Sequence, residues 1–464
     1  MTVPRRRQPP PRYLEWRRRF GQELLGFTAT PVELGRFQRL WLPFLLFAAG
    51  SLIALFRVPV RDWAILWAED GATFISQAYE GNPLVLFEPY SGYLHIVPRI
   101  CAAIAVLFPV DVVPVVLTVT AALFTGFVAV AVYLFSRLRL QSPLLPLIIW
   151  LQVAILPVAG GEVTDSIANA HWYLIFGALW AVLVTPRSTR VMVLQSVILA
   201  LGVLSDPLTL IVTAPFVLLR ILTLPRSRVQ IVTIVYLASA VVQGLGTVAG
   251  TLIGHGRTVS GSQSSLPEFL EIYGSRVTMG SLVGIHGTWA LLATVGSMAI
   301  VLSSALVLAA LGTVVVRDAR RRYLVLGLAV ASFVLAVLTF TLVWGALALA
   351  GPTGLELGAR YMVVPTLALF SALIVCLDSA LERVPLAWPR AAVASLVFAT
   401  VATIGVIDYH VWTNRADAMR WSDSLDVASL SCEDPAATGG LAQIAPLGFA
   451  NVGVPCDVLE GRQP

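Results

Sequence analysis

Apolar residues run in long, nearly unbroken stretches along most of this chain, starting near Trp41, Val112, Leu144, Trp172, Val191, Leu208, Ile231, Ala290, Leu324, Leu357 and Ala391. A helix needs about 20 apolar residues to cross the hydrocarbon core of a bilayer, and it satisfies its own backbone hydrogen bonds there. The pattern predicts an all-α polytopic membrane protein with about eleven transmembrane helices. The two short segments on either side of Ser205-Asp206-Pro207 read as a hairpin. Residues 1–40 form a polar arm, 41–408 the transmembrane domain with a first long loop over 58–111, and 409–464 a short tail.

Composition agrees: 57% of residues are hydrophobic and 12% charged, too few charges for a soluble chain of this length. All basic residues are arginines, and the net charge of +5 does not by itself indicate nucleic acid. Their placement orients the chain, because short loops rich in positive charge stay on the cytoplasmic side. The arm carries Arg5, Arg6, Arg7, Arg12, Arg17, Arg18 and Arg19, and later clusters are Arg137/Arg139, Arg187/Arg190, Arg226/Arg228, Arg317/Arg320/Arg321/Arg322 and Arg383/Arg390. Eleven crossings with the N-terminus inside and the C-terminus outside put every cluster on the inner face. Counting the apolar stretch from Tyr93 to Phe108 as a crossing would break this pattern, so it is expected to lie along or dip into the outer surface. The arm itself is polar and basic and no small-residue cleavage site follows it, so a cytoplasmic or interfacial arm fits better than a signal peptide.

This orientation places Asp62, Glu69, Asp70, Glu80, Glu88, His95 and Arg99 on the first outer loop. Glu69, Thr73, Ser76 and Glu80 follow helical spacing opposite Phe74, Ile75, Ala78 and Tyr79, the signature of an interfacial amphipathic helix. The adjacent acids Glu69 and Asp70 begin it, with Asp70 also suited to capping that helix. His95 and Arg99 share one face if the next stretch is helical from the start. If the helix begins at Pro98, His95 belongs to the loop before it.

This organisation resembles the GT-C superfamily of glycosyltransferases, polytopic enzymes that use lipid-phosphate-linked sugars on the outer side of the membrane. In that superfamily the first outer loop carries interfacial helices and an acidic motif, which Glu69 and Asp70 match. Gly358-Ala359-Arg360-Tyr361-Met362-Val363-Val364-Pro365 is similar to the Arg-Tyr of some envelope-glycan members. The chain lacks a Trp-Trp-Asp motif and a large outer domain, so transfer of oligosaccharide to protein asparagine is not implied. The resemblance implies transfer from a polyprenyl-phosphate-linked sugar to an envelope glycan or lipid acceptor in a bacterial inner membrane.

That chemistry needs a carboxylate to take the acceptor's hydroxyl proton, worth about 10²–10⁴ in rate, and cations to hold the departing phosphate. Asp70 is the first candidate base and Glu69 the second. Arg99, Arg360, Tyr361 and His95 are candidates for the phosphate, followed by Arg257 and Arg276; interfacial anchoring is the bland reading of the arginines. Glu162, Asp165, Asn169, His171 and Asp206, at two other outer turns, are candidates for acceptor or sugar, or for capping and turn chemistry. Mg²⁺ or Mn²⁺ between Glu69, Asp70 and a phosphate is an open possibility. The Gly/Ser-rich loop from Gly254 to Gly287, with a short helix around Pro267 to Arg276, could order over a lipid donor or simply connect.

Cys101 and Cys376 sit in apolar segments, whereas Cys432 and Cys456 stand together in the outer tail. Pairing of these two is expected there, stabilising by roughly 3 kcal/mol. Competing functions are a lipid-linked glycan polymerase or ligase, which shares outer arginines, and a flippase or transporter of lipid-linked sugars. Transporters tend to carry internal repeats and charges near the middle of spans, and here the charges stand at span ends. A noncatalytic scaffold would leave the acid pair without a role.

Overall fold

The computed structural model describes residues 23–24, 35–223, 226–253, 265–350, 358–410 and 415–461. The arginines of the arm from Arg5 to Arg19, and Arg257, lie outside the described residues. The principal helices are α1 (Arg36–Leu55), α2 (Ile96–Ala105), α3 (Val113–Ser136), α4 (Leu145–Ile155), α5 (Ala170–Val182), α6 (Thr189–Ser205), α7 (Leu208–Thr223) and α8 (Arg226–Leu252). They continue as α9 (Leu266–Ile272), α10 (Gly280–Val295), α11 (Met298–Arg317), α12 (Arg322–Ala350), α13 (Val363–Glu382), α14 (Ala387–Ile407) and α15 (Trp421–Ser429).

Among the described residues, eight helical stretches are long and apolar enough to cross a membrane, and five shorter apolar helices, among them α2, α5, α6 and α7, accompany them. This is a multi-pass membrane protein. Helix α5 is only 13 residues long, against the span expected near Trp172, and every one of its residues is buried. Protein rather than lipid surrounds it, so bilayer thickness does not set its length. Helix α2 has 10 residues, too few to cross, and Ile100, Ile104, Leu107 and Phe108 are exposed along it and just beyond. The span expected near Ala290 is divided instead: Gly296, at a φ of 64°, closes α10, and α11 begins two residues later. Ahead of it a capped helix, α9, with Ser265 and Glu268 bonding reciprocally at its start, runs through the π-turns of Tyr273–Met279 into α10.

Small residues let the helices approach closely, which is how spans associate where lipid removes the hydrophobic drive. Helix α1 packs on α3 at Gly126, where an added Cβ would collide with Ser51 Oγ and lie 2.8 Å from the Phe47 carbonyl. Gly126→Leu is therefore expected to destabilise by about 1–3 kcal/mol or more through overpacking. The check is a lowered thermal midpoint in detergent, with Gly244→Leu, whose Cβ would meet open space, as the neutral control.

Helix α13 links two polar ends of the bundle, about 30 Å apart for 20 residues of helix. At its C-terminal end Arg321 bridges Asp378 at 2.8 Å, Asp318 at 3.0 Å and Glu382 at 2.5 Å, and Asp378 also accepts from the backbone of Gln141 and Ser142. The candidate site lies at the other end.

The tail is not a simple extension. After α15, strands β1 (Gly439–Gln443) and β2 (Asn451–Pro455) pair antiparallel, Gly439 opposite Pro455, and Cys432 is joined to Cys456. This two-stranded sheet is the departure from an all-α fold among the described residues. The tail packs onto the first long loop: Trp421 Nε1 donates to the Val110 carbonyl at 2.7 Å, and Ala445 pairs in parallel with Trp67.

Candidate functional site

The acid pair begins a π-helical turn, Asp70–Ile75, that continues as the short helix Ser76–Tyr79. Asp70 and Phe74 are four apart and share the buried face, while Glu69 remains half-buried at the opening. The two acids therefore do different things. Asp70 makes no cap for its own helix; its carboxylate accepts from the amides of Ala168 (2.7 Å) and Ile167 (3.2 Å) and from Ser166 Oγ (3.2 Å). It thus closes the turn that leads into α5. Burial pushes its pKa up to about 7 despite these donors and nearby Arg415.

Glu69 faces Arg360 at 3.9 Å, and Arg360 Nε lies 3.2 Å from Glu162. Arg360 stands on the turn before α13, entered through Gly358 at a φ of 68°, where glycine is favoured. Its guanidinium also lies over the Tyr361 ring at 5.1 Å. A small cleft of about 130 Å³ opens here, bounded by Glu69, Tyr93, His95, Asn169, Trp172 and Arg360 among others. A second cavity, of about 280 Å³, adjoins it and shares Ser91, Tyr93, Trp172 and Tyr361. Its remaining walls are Gly92, Asp206, Pro207 and Leu208, Thr247 and Thr251 of α8, and Thr339 of α12. One chamber is polar and the other runs between helices.

His95 sits at the N-terminus of α2, its ring stacked on Tyr93 with centroids 4.2 Å apart. Burial and the neighbouring His171 hold its pKa well below the usual histidine value, so it is neutral. Its Nδ1 donates to the Tyr93 carbonyl at 3.2 Å, which assigns Nε2 as an acceptor. His171 contacts the Ala168 carbonyl through Nδ1 at 2.7 Å and Asp206 through Nε2 at 3.3 Å. Asp206 also caps α7 by accepting from Leu208 N–H at 2.7 Å. Asn169 ties the α5 turn together, donating to the Glu162 carbonyl at 2.9 Å and to Ser166 Oγ at 3.2 Å.

Glu69, His95, Asn169, His171, Arg360 and Tyr361 thus line one cleft, with Glu162 paired to its arginine and Asp206 in the adjoining chamber. Besides Asp70, three candidates stand apart. Arg99 lies behind Phe74, donating to Gln77 Oε1 at 2.8 Å, and does not line the cleft. Asp165 is buried beside Arg57 and Arg415, which only partly offset the effect of burial in pushing its pKa up to about 8. Arg276 is buried on the π-turns that follow α9. Trp172 and Tyr93 line the cleft and the tail's Arg415 stands buried behind it beside Asp70 and Asp165, although the sequence does not single them out as chemistry. Trp172 Nε1 is buried without a hydrogen-bond partner.

Glu69 and Asp70 do not fit a shared metal: one carboxylate faces an arginine and the other is taken up by three donors. Among the described residues no three His, Cys, Asp or Glu side chains converge as metal ligands. Three non-glycine residues around the site, Ala68 (φ 36°), Ser91 (φ 49°) and Asp165 (φ 57°), occupy the left-handed region, which costs about 1–3 kcal/mol each where it is strained. Such strain clusters at functional sites. No protein-family sequence model matches this chain, and no curated protein does so either.

Proposed function

We propose that the protein is a membrane glycosyltransferase of the GT-C type. In this reading it moves a sugar from a polyprenyl-phosphate donor to an envelope glycan or lipid acceptor on the extracytoplasmic face of a bacterial inner membrane. The chain crosses that membrane eleven times, with the N-terminus inside. The observation that carries the reading is the union of a polar cleft holding Arg360 with a chamber running between helices, which suits a charged headgroup on a long apolar chain.

Each residue then has a task. Arg360 holds the phosphate, its planar fork steadying the charge that develops as the sugar departs. The polyprenyl chain leaves between α8 and α12. Glu69, the carboxylate that lines the cleft, takes the proton of the attacking hydroxyl. His95 Nε2 and Asn169 Oδ1 offer acceptors to sugar hydroxyls. Asp70 supports the turn carrying Asn169 rather than touching substrate. The step balances as a substitution: the acceptor oxygen bonds to the anomeric carbon, the bond to phosphate oxygen breaks, and the proton goes to Glu69.

Purified protein incubated with polyprenyl-phosphate sugars and envelope acceptors tests this. Wild type is expected to transfer sugar, and Glu69→Gln to lose about 10²–10⁴ of the rate. Undiminished transfer by Glu69→Gln would remove it from catalysis, and no transfer by wild type across the donor panel would overturn the reading.

A further inference from the structure

Two of the three residues in the left-handed region are held there by the tail. Ser91 is explained locally: Tyr90 and Tyr93 bridge across Ser91-Gly92, both at positive φ, as a tight two-residue hairpin turn requires. Ala68 and Asp165 have no such hairpin around them. Instead, Ala68 N–H donates to the Ala445 carbonyl at 2.5 Å, and Ala445 N–H donates back to the Leu66 carbonyl at 2.9 Å. Arg415 Nη2 donates to the Asp165 carbonyl at 2.9 Å, its guanidinium lying over the Trp67 ring. Strained backbone persists only where the surroundings over-determine it, and here those surroundings come from the far end of the chain.

These two residues control the site. Ala68 immediately precedes the acid pair, and its conformation sets the direction in which the turn carrying Glu69 and Asp70 enters the site. Asp165 precedes Ser166, Ile167 and Ala168, whose O–H and N–H groups grip Asp70. The tail also covers the back of the acid helix, since a Cβ on Gly71 would lie 3.1 Å from Val452 and 3.2 Å from Ile444. Arg415 is itself 1% exposed, between Asp70 and Asp165, and Asp62 is also near enough to act on its charge.

We propose that the tail is the clasp that assembles the cleft: Arg415 and Ala445 are positioning elements that lock Asp165 and Ala68, and the Cys432–Cys456 disulfide keeps the tail closed for that purpose. The clasp sets the shape of the cleft whichever reaction occurs there.

Hydrogen exchange measured by mass spectrometry on the full chain in detergent tests it without any substrate. Arg415→Gln is expected to speed exchange by about tenfold or more over 66–71 and 163–170, where amides are bonded to the tail or to Asp70. Exchange within α3 and α13 should stay at the wild-type rate. Arg415→Lys, which keeps a cationic donor, should recover part of the protection. Wild-type exchange over both segments in Arg415→Gln would overturn the proposal. Should Arg415→Gln loosen the whole bundle, the paired change Cys432→Ser with Cys456→Ser decides, because it releases the tail without opening the buried cluster. The same local loosening is expected from it, and undisturbed protection over 66–71 and 163–170 would overturn the proposal.

Discussion

Arg360→Ala is expected to cut sugar transfer by about 10²–10³-fold, the range seen when one donor that stabilises developing charge is removed. The loss should fall mainly on turnover, since Arg360 is assigned to the phosphate as it departs. Two half-buried carboxylates, Glu69 and Glu162, would also lose the cation that sits 3.9 Å and 3.2 Å from them. Their mutual repulsion would then disfavour an anionic ligand further. Arg360→Lys should restore only part of the rate, because an ammonium offers a point charge where the guanidinium offers a planar fork. The measurement is initial rate against donor concentration for the three proteins. Equal turnover in wild type and Arg360→Ala would show that the phosphate is held elsewhere and would remove the central residue of the proposed site.

Helix positions are legible in the sequence wherever lipid dictates them, because a bilayer demands long apolar runs and places arginines at their ends. α8, α12, α13 and α14 lie close to where the hydropathy pattern puts them. Where protein replaces lipid, length no longer follows the bilayer, and α5 is accordingly short and wholly buried. The break at Gly296 escapes the hydropathy pattern because a single glycine interrupts an otherwise continuous apolar run. At the site, the acid pair and Arg360 do meet, but as Glu69 with Arg360 and not as a two-carboxylate unit. The four-residue spacing from Asp70 to Phe74 carries that division, since it puts Asp70 on the apolar face of the predicted helix. Arg99 is close to His95 in sequence, and that proximity alone suggests a shared site. A helix of 10 residues turns its side chains to several directions, and Phe74 comes between Arg99 and the cleft. Arg415 has no local signal at all, because its importance comes from pairing with a carbonyl 250 residues away.

The fold is expected to lose stability as pH rises through neutrality, against the usual behaviour of a hydrogen-bonded carboxylate. Asp70 accepts three hydrogen bonds, yet burial dominates and raises its pKa from 3.8 to about 7. A group whose pKa is raised on folding favours the native state while protonated. Its contribution is complete below about pH 4 and is lost as pH rises through about 7. A tenfold change in proton affinity corresponds to about 1.4 kcal/mol, so the ionised carboxylate costs the fold about 4 kcal/mol above neutrality. Asparagine at this position remains neutral throughout; its Oδ1 can accept from Ala168 N–H and Ser166 Oγ, and its amide nitrogen then faces the Ile167 N–H, a lost bond costing about 1–3 kcal/mol, less than burial of the ionised carboxylate. Asp70→Asn is accordingly expected to be more stable than wild type at pH 8, with the difference shrinking steadily toward pH 5. A residual slope of the same sign should survive in the variant, because Asp165 is likewise raised, to about 8, by burial. Thermal midpoints of the two proteins in detergent at pH 5 and pH 8 measure this directly. A variant that is less stable than wild type at pH 8 would mean that the donors from Ser166, Ile167 and Ala168 outweigh burial, leaving Asp70 an ordinary ionised cap for the turn before α5.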